Sequence, residues 1–220
     1  MLKTVIKRAA EAAHANFQVI EKDYAIGYIL AGIARNSYLR ERLVFKGGTA
    51  LKKLYFGNYR FSEDLDFSGR DLSAPEDVEK HIGNAVKAAW EMLDKSGPFS
   101  LDLERYAEKH PHPHGQEAFV VSVKYPWHPR HLCRIKVEIS RDEPVMRRPL
   151  ELGIIHPYTG EDFSETLPVY TLEEIVAEKL RALLQTHEKL VTRGWHRSRA
   201  RDYYDLWRIF LAYGKQLDYS

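Results

Sequence analysis

The chain has 220 residues, 44% of them hydrophobic, so it is long enough to bury a core of its own. Lys and Arg total 33 and Asp and Glu total 31, so the net charge of +2 does not by itself indicate a nucleic-acid or membrane partner. No apolar run approaches the length of a membrane span, and the N-terminal segment lacks a signal-peptide core, which predicts a soluble, cytoplasmic protein.

The first elements in chain order are two amphipathic helices. Residues 2–15 and 21–35 have apolar positions at helical spacing, and the residues between them, 16–20, form a short turn. We expect both helices to pack against a sheet.

The stretch from residue 43 to residue 68 carries the strongest functional pattern. A short apolar run leads through Gly47 and Gly48 into a helix, and the chain then returns into a second apolar segment with Asp64 and Asp66. Paired glycines before a helix let the backbone approach an anion, which the helix N-terminus favours. On a strand, Asp64 and Asp66 share one face. Two carboxylates beside a phosphate-binding turn can hold a divalent cation such as Mg²⁺.

The helix after Gly48 has a polar and an apolar side. Lys52 and Lys53 are expected on the outside, and Gly57 with Asn58 supplies a C-terminal stop. The residues expected to face the core are Ala50, Leu51, Leu54 and Tyr55.

A long helix and three strands follow. Residues 76–94 have helical periodicity after a turn in which Ser73 can cap the helix, and residues 99–106, 118–125 and 132–139 alternate like strands. The proline-punctuated loop between the first two strands contains three histidines that lack a carboxylate or cysteine partner, so a solvated loop is favoured over a metal site. They are His110, His112 and His114.

The strand at residues 132–139 adds a further acid. Arg134, Lys136 and Glu138 share one face, while Cys133 belongs to the opposite, apolar face. Glu138 is either half of an ordinary ion pair or the third carboxylate of the Asp64 and Asp66 site. Cys133 is the only cysteine of the chain and has no accompanying motif, so we predict a buried core residue rather than a nucleophile.

Residues 140–168 are a connection rich in proline and glycine. A capping box from Thr171 to Glu174 then starts a helix that we expect to end near residue 184 or 187. Lys179 flanks the apolar stripe of this helix. Arg181 points in another direction and suits the protein surface or an RNA contact. The residues expected in the buried stripe are Ile175, Val176, Leu180, Leu183 and Leu184.

The densest basic cluster of the chain lies at residues 193–201. Arginines interleaved with an aromatic residue suit a nucleic-acid backbone with a stacked base, although an exposed arginine-rich loop has the same pattern. The candidate RNA contacts are Arg193, Trp195, Arg197 and Arg199. The next segment is a helix in which Asp202 and Asp205 lie nearly one turn apart. Its expected packing residues are Tyr204, Leu206, Trp207, Ile209 and Phe210.

Four strings occur in series along this sequence. They are Gly-Gly-Thr with Arg-x-Ser-x-Asp-x-Asp, Lys136-x-Glu138, AEKLRALL around Lys179, and the Arg-Asp-x-x-Asp-Leu string that contains Asp202. In type and order they resemble the four motifs of the AbiEii nucleotidyltransferase toxins, which have a DNA polymerase β-like fold. The resemblance covers residues 46–206 and therefore most of the chain.

The resemblance implies a site and a reaction. The site would transfer a nucleoside monophosphate from an NTP to an acceptor, with Mg²⁺ or Mn²⁺ held by Asp64, Asp66 and Glu138. The implied nucleotide contacts are Gly47, Gly48, Thr49, Arg60, Ser62 and Lys179. An aspartate of the fourth motif would also serve the site, with Asp202 preferred and Asp205 kept as an alternative. The implied partners are an RNA acceptor such as a tRNA 3′ end and a cognate antitoxin protein.

We therefore predict an α/β (α+β) fold with a polymerase β-like core built on a small mixed sheet. Residues 1–170 would form this core with its N-terminal helices, and residues 171–220 a helical part that closes the active-site cleft. Family members often continue into a further helical region, so the chain is either a compact member or a truncated one. Two alternatives remain open: a nucleotidyltransferase of the same fold acting on a small molecule or protein, and a non-catalytic interaction module.

Overall fold

The computed structural model describes residues 1–106, 115–158, 160–194 and 198–218. The chain divides into two compact units. The first comprises Met1–Val145 and Pro149–Val169, and the second comprises Met146–Arg148 and Tyr170–Ser220. Over the described ranges, every helix is too short or too polar to cross a membrane.

A mixed sheet forms the centre of the first unit. Its described strands are β1 (Leu43–Lys46), β2 (Leu65–Gly69), β3 (Ser100–Arg105), β4 (Gln116–Lys124), β5 (Cys133–Ser140), β6 (Leu150–Gly153) and β7 (Thr166–Val169). They lie in the order β3-β4-β5-β2-β1-β7-β6, with β2 parallel to β5 and β1 parallel to β7. The α/β class with a mixed sheet is confirmed. The sequence missed β6 and β7, which lie in the segment expected to be a connection only.

One face of the sheet is the core of the unit. Leu65 and Phe67 of β2 and Val137 and Ile139 of β5 are all buried on this face. The period of two therefore places the intervening acids of β2 and β5 on the opposite face, as the sequence predicted.

Helices cover the apolar face. Those of the first unit are α1 (Leu2–Ala12), α2 (Phe17–Arg35), α3 (Ser37–Arg42), α4 (Gly47–Ala50) and α5 (Pro75–Leu93). Asn16 caps α2, because its side chain accepts a hydrogen bond from the backbone N–H of Gln18. Helix α5 begins at Pro75 after Ala74, and no side chain caps it, so the expected cap by Ser73 is wrong. The short α4 continues as a π-helical segment, Leu51–Phe56, which ends at Gly57 with φ of +63°.

The second unit contains α6 (Leu172–Arg193) and α7 (Ala200–Tyr213). Thr171 caps α6 as predicted, with its hydroxyl accepting from the backbone N–H of Glu174 at 3.3 Å. The helix runs beyond the expected end near residue 187 and stops at Gly194, whose φ is +63°.

Several apolar side chains of the second unit are exposed where burial was predicted. In α6, Leu180 is 45% and Leu184 is 72% exposed. In α7, Trp207 is 55% exposed, and Tyr204 and Phe210 are also exposed, whereas Leu206 and Ile209 are buried as expected. The stripe prediction is confirmed for Ile175 and Val176, which are buried, and wrong for Leu180 and Leu184. Helical periodicity identifies an apolar face without showing whether another element covers it.

Cys133 is buried in the core of the first unit, as predicted. Burial raises the pKa of its thiol to about 12, so almost no reactive thiolate exists at neutral pH. We expect a soluble thiol reagent to label native protein negligibly at pH 8 and to label urea-unfolded protein fully, as measured by mass spectrometry. Rapid labelling without denaturant would contradict this.

Candidate active site

The turn from β1 into α4 brings Asp66 against Gly47. Gly47 has φ of +78°, a region that residues with a side chain rarely adopt. A Cβ atom at this position would also lie 2.7 Å from Asp66 Oδ2. The glycine is therefore required both for the turn and for the approach of the carboxylate.

The second glycine makes room for two further predicted residues. A Cβ atom on Gly48 would lie 2.7 Å from Arg60 Nη2 and 3.1 Å from Ser62 Oγ. The guanidinium and the hydroxyl therefore meet at the start of the helical segment. The structure thus brings together five residues that the sequence proposed for one site, which we call the glycine-turn site: Gly47, Gly48, Arg60, Ser62 and Asp66.

Thr49 connects the two ends of the motif. Its side chain is fully buried, and its hydroxyl donates a hydrogen bond to the backbone carbonyl of Asp64 at 2.5 Å. This bond fixes the start of the helical segment to the residue that precedes β2, while Asp64 itself is exposed.

The sheet register aligns three charged residues on the polar face. Asp66 of β2 lies opposite Lys46 of β1 on one side and opposite Glu138 of β5 on the other. Neighbouring strands lie roughly 4.8 Å apart, so the carboxylates of Asp66 and Glu138 leave the sheet close together. Glu138 Oε1 accepts hydrogen bonds from Lys136 Nζ at 2.9 Å and from the side-chain amide of Gln116.

Two charged residues of this region were not predicted. Lys46 forms an ion pair with Glu143, and both side chains are almost completely buried. Lys46 directly precedes the glycines, so its position in the motif was an available signal. Glu143 lies in the irregular segment after β5, where no periodicity marks it. Gln116 was likewise missed, since it pairs with Ser140 of β5 and reaches Glu138 diagonally across the two strands.

The prediction that Lys52 and Lys53 face outward is wrong. They are 4% and 0% exposed. Lys53 Nζ donates to Asp23 Oδ2 at 2.7 Å, and Lys52 Nζ lies over the Phe61 ring, 4.2 Å from its centroid. The π-helical turn changes the direction of side chains relative to an α-helix, so the helical wheel drawn from the sequence does not apply here.

The remaining predicted acids and the helical lysine are together in the second unit. Lys179 Nζ lies 2.6 Å from Asp205 Oδ2 and 3.2 Å from Asp202 Oδ1. Asp205 is completely buried, whereas 18% of the Asp202 side chain is exposed. Lys179 is itself 8% exposed and does not extend to water as a stripe-flanking lysine usually does. The roles of these three residues in a reaction stay predictions.

The two aspartates should therefore differ in their structural contribution. Asp205→Ala leaves Lys179 buried with Asp202 as its remaining described acid, so we expect a loss of ~2 kcal/mol in unfolding free energy. Asp202→Ala removes the longer, partly exposed contact and should cost less than ~1 kcal/mol. Urea unfolding of both variants measures this difference, and equal losses would contradict it.

Part of the proposed RNA surface and the histidine loop lie outside the described residues. Trp195 and Arg197 are among them, as are His110, His112 and His114. Arg193 ends α6. Arg199 is described, and its guanidinium donates to Thr186 Oγ1 at 2.8 Å and lies 3.4 Å from Asp202 Oδ2. Arg199 therefore takes part in packing α6 against α7.

The glycine-turn site can bind an anion beside a cation. Backbone N–H groups at the start of the helical segment, together with Arg60 and Ser62, supply donors for phosphate oxygens. Asp66 and Glu138 supply the carboxylate oxygens that hard divalent cations prefer. Over the described residues, no three His, Cys, Asp or Glu side chains are grouped closely enough to hold a metal ion by themselves. A cation here would need oxygen ligands from a substrate or water.

Comparisons with known proteins are consistent with this chemistry. The model of the family described as "Nucleotidyl transferase AbiEii toxin, Type IV TA system" matches residues 28–218. The structure is similar to that of MenT4, a nucleotidyltransferase toxin from Mycobacterium tuberculosis H37Rv, with a TM-score of 0.57 and 26% sequence identity. The match covers 82% of this chain and 59% of the MenT4 chain. No curated protein matches the sequence significantly.

Proposed function

The chain belongs to the AbiEii family of nucleotidyltransferase toxins of type IV toxin–antitoxin systems, and from that premise we propose that it transfers a nucleoside monophosphate from an NTP to an RNA acceptor. The observation that carries the proposal is the meeting of three polar side chains at two adjacent glycines. Asp66 lies over Gly47, and Arg60 and Ser62 lie beside Gly48. A phosphate at this turn would contact backbone N–H groups and a guanidinium while a carboxylate stands next to it.

A divalent cation fits the same place. Mg²⁺ in phosphate-transfer sites usually takes only one or two protein carboxylates and completes its shell with phosphate oxygens and water. Asp66 and Glu138, adjacent in register, would supply these ligands, and Asp64, exposed just before β2, would extend the set. Bound there, Mg²⁺ or Mn²⁺ would neutralise negative charge on the phosphate oxygens of the NTP.

The residues of this chain would do the rest by positioning. Arg60 and Ser62 would orient the triphosphate for in-line attack on the α-phosphorus. The attacking hydroxyl oxygen forms the new P–O bond as the bond to pyrophosphate breaks, and the hydroxyl proton passes to a base. We propose Glu138 for that base, since its carboxylate lies on the polar face beside Asp66. From the family motif we also keep Lys179 as a phosphate contact.

The acceptor and the partner protein rest on sequence features. The arginine cluster at residues 193–201 favours RNA, and a tRNA 3′ end is the acceptor that we propose. Membership of a type IV toxin–antitoxin family favours a cognate antitoxin protein as the partner of this toxin.

The reaction is tested by label transfer. Purified protein is incubated with each of the four α-³²P NTPs, total tRNA and Mg²⁺, and the RNA is separated on a denaturing gel. We expect one NTP to label the RNA, and we expect tRNA binding to weaken steeply with salt. If the RNA stays unlabelled while the protein still binds the NTP in a metal-dependent way, the acceptor would be a small molecule or a protein instead of RNA. Absence of NTP binding would leave a non-catalytic interaction module.

Gly48→Ala tests the glycine-turn site directly. The new methyl group would displace Arg60 and Ser62, so we expect the Kd for the NTP to rise about tenfold or more. Gly83→Ala in α5 is the matched control, because a Cβ there meets nothing closer than 3.9 Å. The control should bind the NTP normally and gain ~0.5–1 kcal/mol in stability. Equal NTP affinity in both variants would remove Gly48 from the site.

A further inference from the structure

A cavity of the first unit is lined in part by Tyr59 and Phe61, the residues on either side of Arg60 in the chain. It has a volume of about 460 Å³, within the range typical of small-molecule sites. Side chains from α1, α2, the π-helical segment and two loops line it. Three aromatic rings, of Tyr59, Phe61 and Tyr158, form part of its wall.

The cavity also has a buried polar lining. Asp23 is 2% exposed, and its Oδ2 accepts hydrogen bonds from Lys53 at 2.7 Å and from the Tyr158 hydroxyl at 2.9 Å. Its other oxygen, Oδ1, has no hydrogen-bond partner among the described residues. A buried carboxylate oxygen without a donor is costly, so the arrangement favours a ligand that supplies one.

Lys52 stands next to this oxygen. Its Nζ lies 4.0 Å from Asp23 Oδ1 and donates long hydrogen bonds to the carbonyls of Gly57 and Tyr59, at 3.2 and 3.4 Å. The cavity lining therefore offers a hydrogen-bond acceptor and, beside it, a cationic donor. A simple amine would bring a positive charge against Lys52, and a simple anion would bring a negative charge against Asp23. A neutral ligand with a donor next to an acceptor avoids both costs.

We propose that this cavity binds a nucleobase. The Watson–Crick edge of a base presents a donor beside an acceptor, which matches Asp23 Oδ1 and Lys52 Nζ, and its flat body can stack on the aromatic wall. The site needs neither a triphosphate nor a metal ion, so it goes beyond the proposed reaction. Phe61 lies between Arg60 and Ser62 in the chain. A base stacked on Phe61 would hold the segment that carries both side chains to Gly48.

The test is binding of free nucleosides to the full chain without phosphate or divalent cations. Adenosine, cytidine, guanosine and uridine are titrated separately, with ribose as the control, and binding is followed by NMR chemical shifts. Ala13→Trp fills the cavity from an exposed lining position without removing a polar group. Arg8→Trp is the matched control, since Arg8 is an exposed α1 residue that does not line the cavity.

We expect at least one nucleoside to bind the wild type and Arg8→Trp alike, with a Kd about tenfold higher or more in Ala13→Trp. Ribose should not bind. Unchanged affinity in Ala13→Trp, equal binding of ribose, or no binding of any nucleoside would each overturn the proposal. The experiment contains no NTP and no metal, so its failure is separate from a failure of nucleotidyl transfer.

Discussion

Asp66→Asn should reduce nucleotidyl transfer by about a thousandfold or more, which corresponds to ~4 kcal/mol of transition-state stabilisation. The carboxylate lies against Gly47 and opposite Glu138 in the sheet. Asparagine keeps the size of the side chain but removes the negative charge that a divalent cation needs. Circular dichroism and urea unfolding should be nearly unchanged, so the loss would belong to the site rather than to the fold.

Asp71→Asn is the matched control for this experiment. Asp71 is exposed just after β2 and has φ of +50°, a conformation that asparagine also tolerates. We expect this control to retain wild-type transfer, measured with the labelled NTP and tRNA under single-turnover conditions. Full activity in Asp66→Asn would remove the carboxylate from the reaction and, with it, the cation that we propose there.

The polar face of each strand could be predicted from the sequence, but which strands are adjacent in the sheet could not. Alternation of apolar and polar residues was sufficient to place Asp66 and Glu138 on one face of their own strands. That β2 and β5 are adjacent and parallel is a property of the topology, set by packing over more than 60 residues of intervening chain. The sequence therefore could not show that Glu138 lies beside Asp66, and its role as a third acid of the site stays a proposal.

The glycines show a similar limit. The sequence favoured Gly47 and Gly48 for their approach to an anion, and this role stays a proposal. The structure adds a second reason, because side chains of the same motif occupy the space where the Cβ atoms would be. Motif residues some 12 to 19 positions away in sequence thus require glycine at the turn.

Errors in the prediction arose where a residue's environment is supplied from far along the chain. Lys53 is buried because Asp23, 30 residues earlier, provides a partner. The exposed Trp207 has the opposite cause, since α7 carries apolar residues on a side that the described part of its own unit does not cover. Local periodicity contains neither fact.

The buried charge cluster leads to the second large expected effect. Asp23→Ala should lower the unfolding free energy by ~3–5 kcal/mol, because it leaves Lys53 and Lys52 buried without their acid. Burial alone would raise the pKa of Asp23, but the charges of Lys53 and Lys52 outweigh it and lower that pKa below its usual value of 3.8. The stabilisation from this ionised carboxylate is thus present above pH ~4 and is lost as the pH falls through the lowered pKa.

A double-mutant cycle separates the pair from its surroundings. The cycle uses Asp23→Leu, which removes the acid, Lys53→Met, which removes its closest cation, and the double variant with both substitutions. The double variant replaces the pair by apolar side chains, although Lys52 stays buried. We expect the double variant to lose less stability than the sum of the two single losses in urea unfolding at pH 7, by ~1–3 kcal/mol. Arg40→Met is the control, because it removes a positive charge from an exposed side chain instead of a buried one. It should change the unfolding free energy by less than ~0.5 kcal/mol. Strict additivity of the two single losses would mean that Asp23 and Lys53 contribute independently and that the 2.7 Å contact has no net coupling.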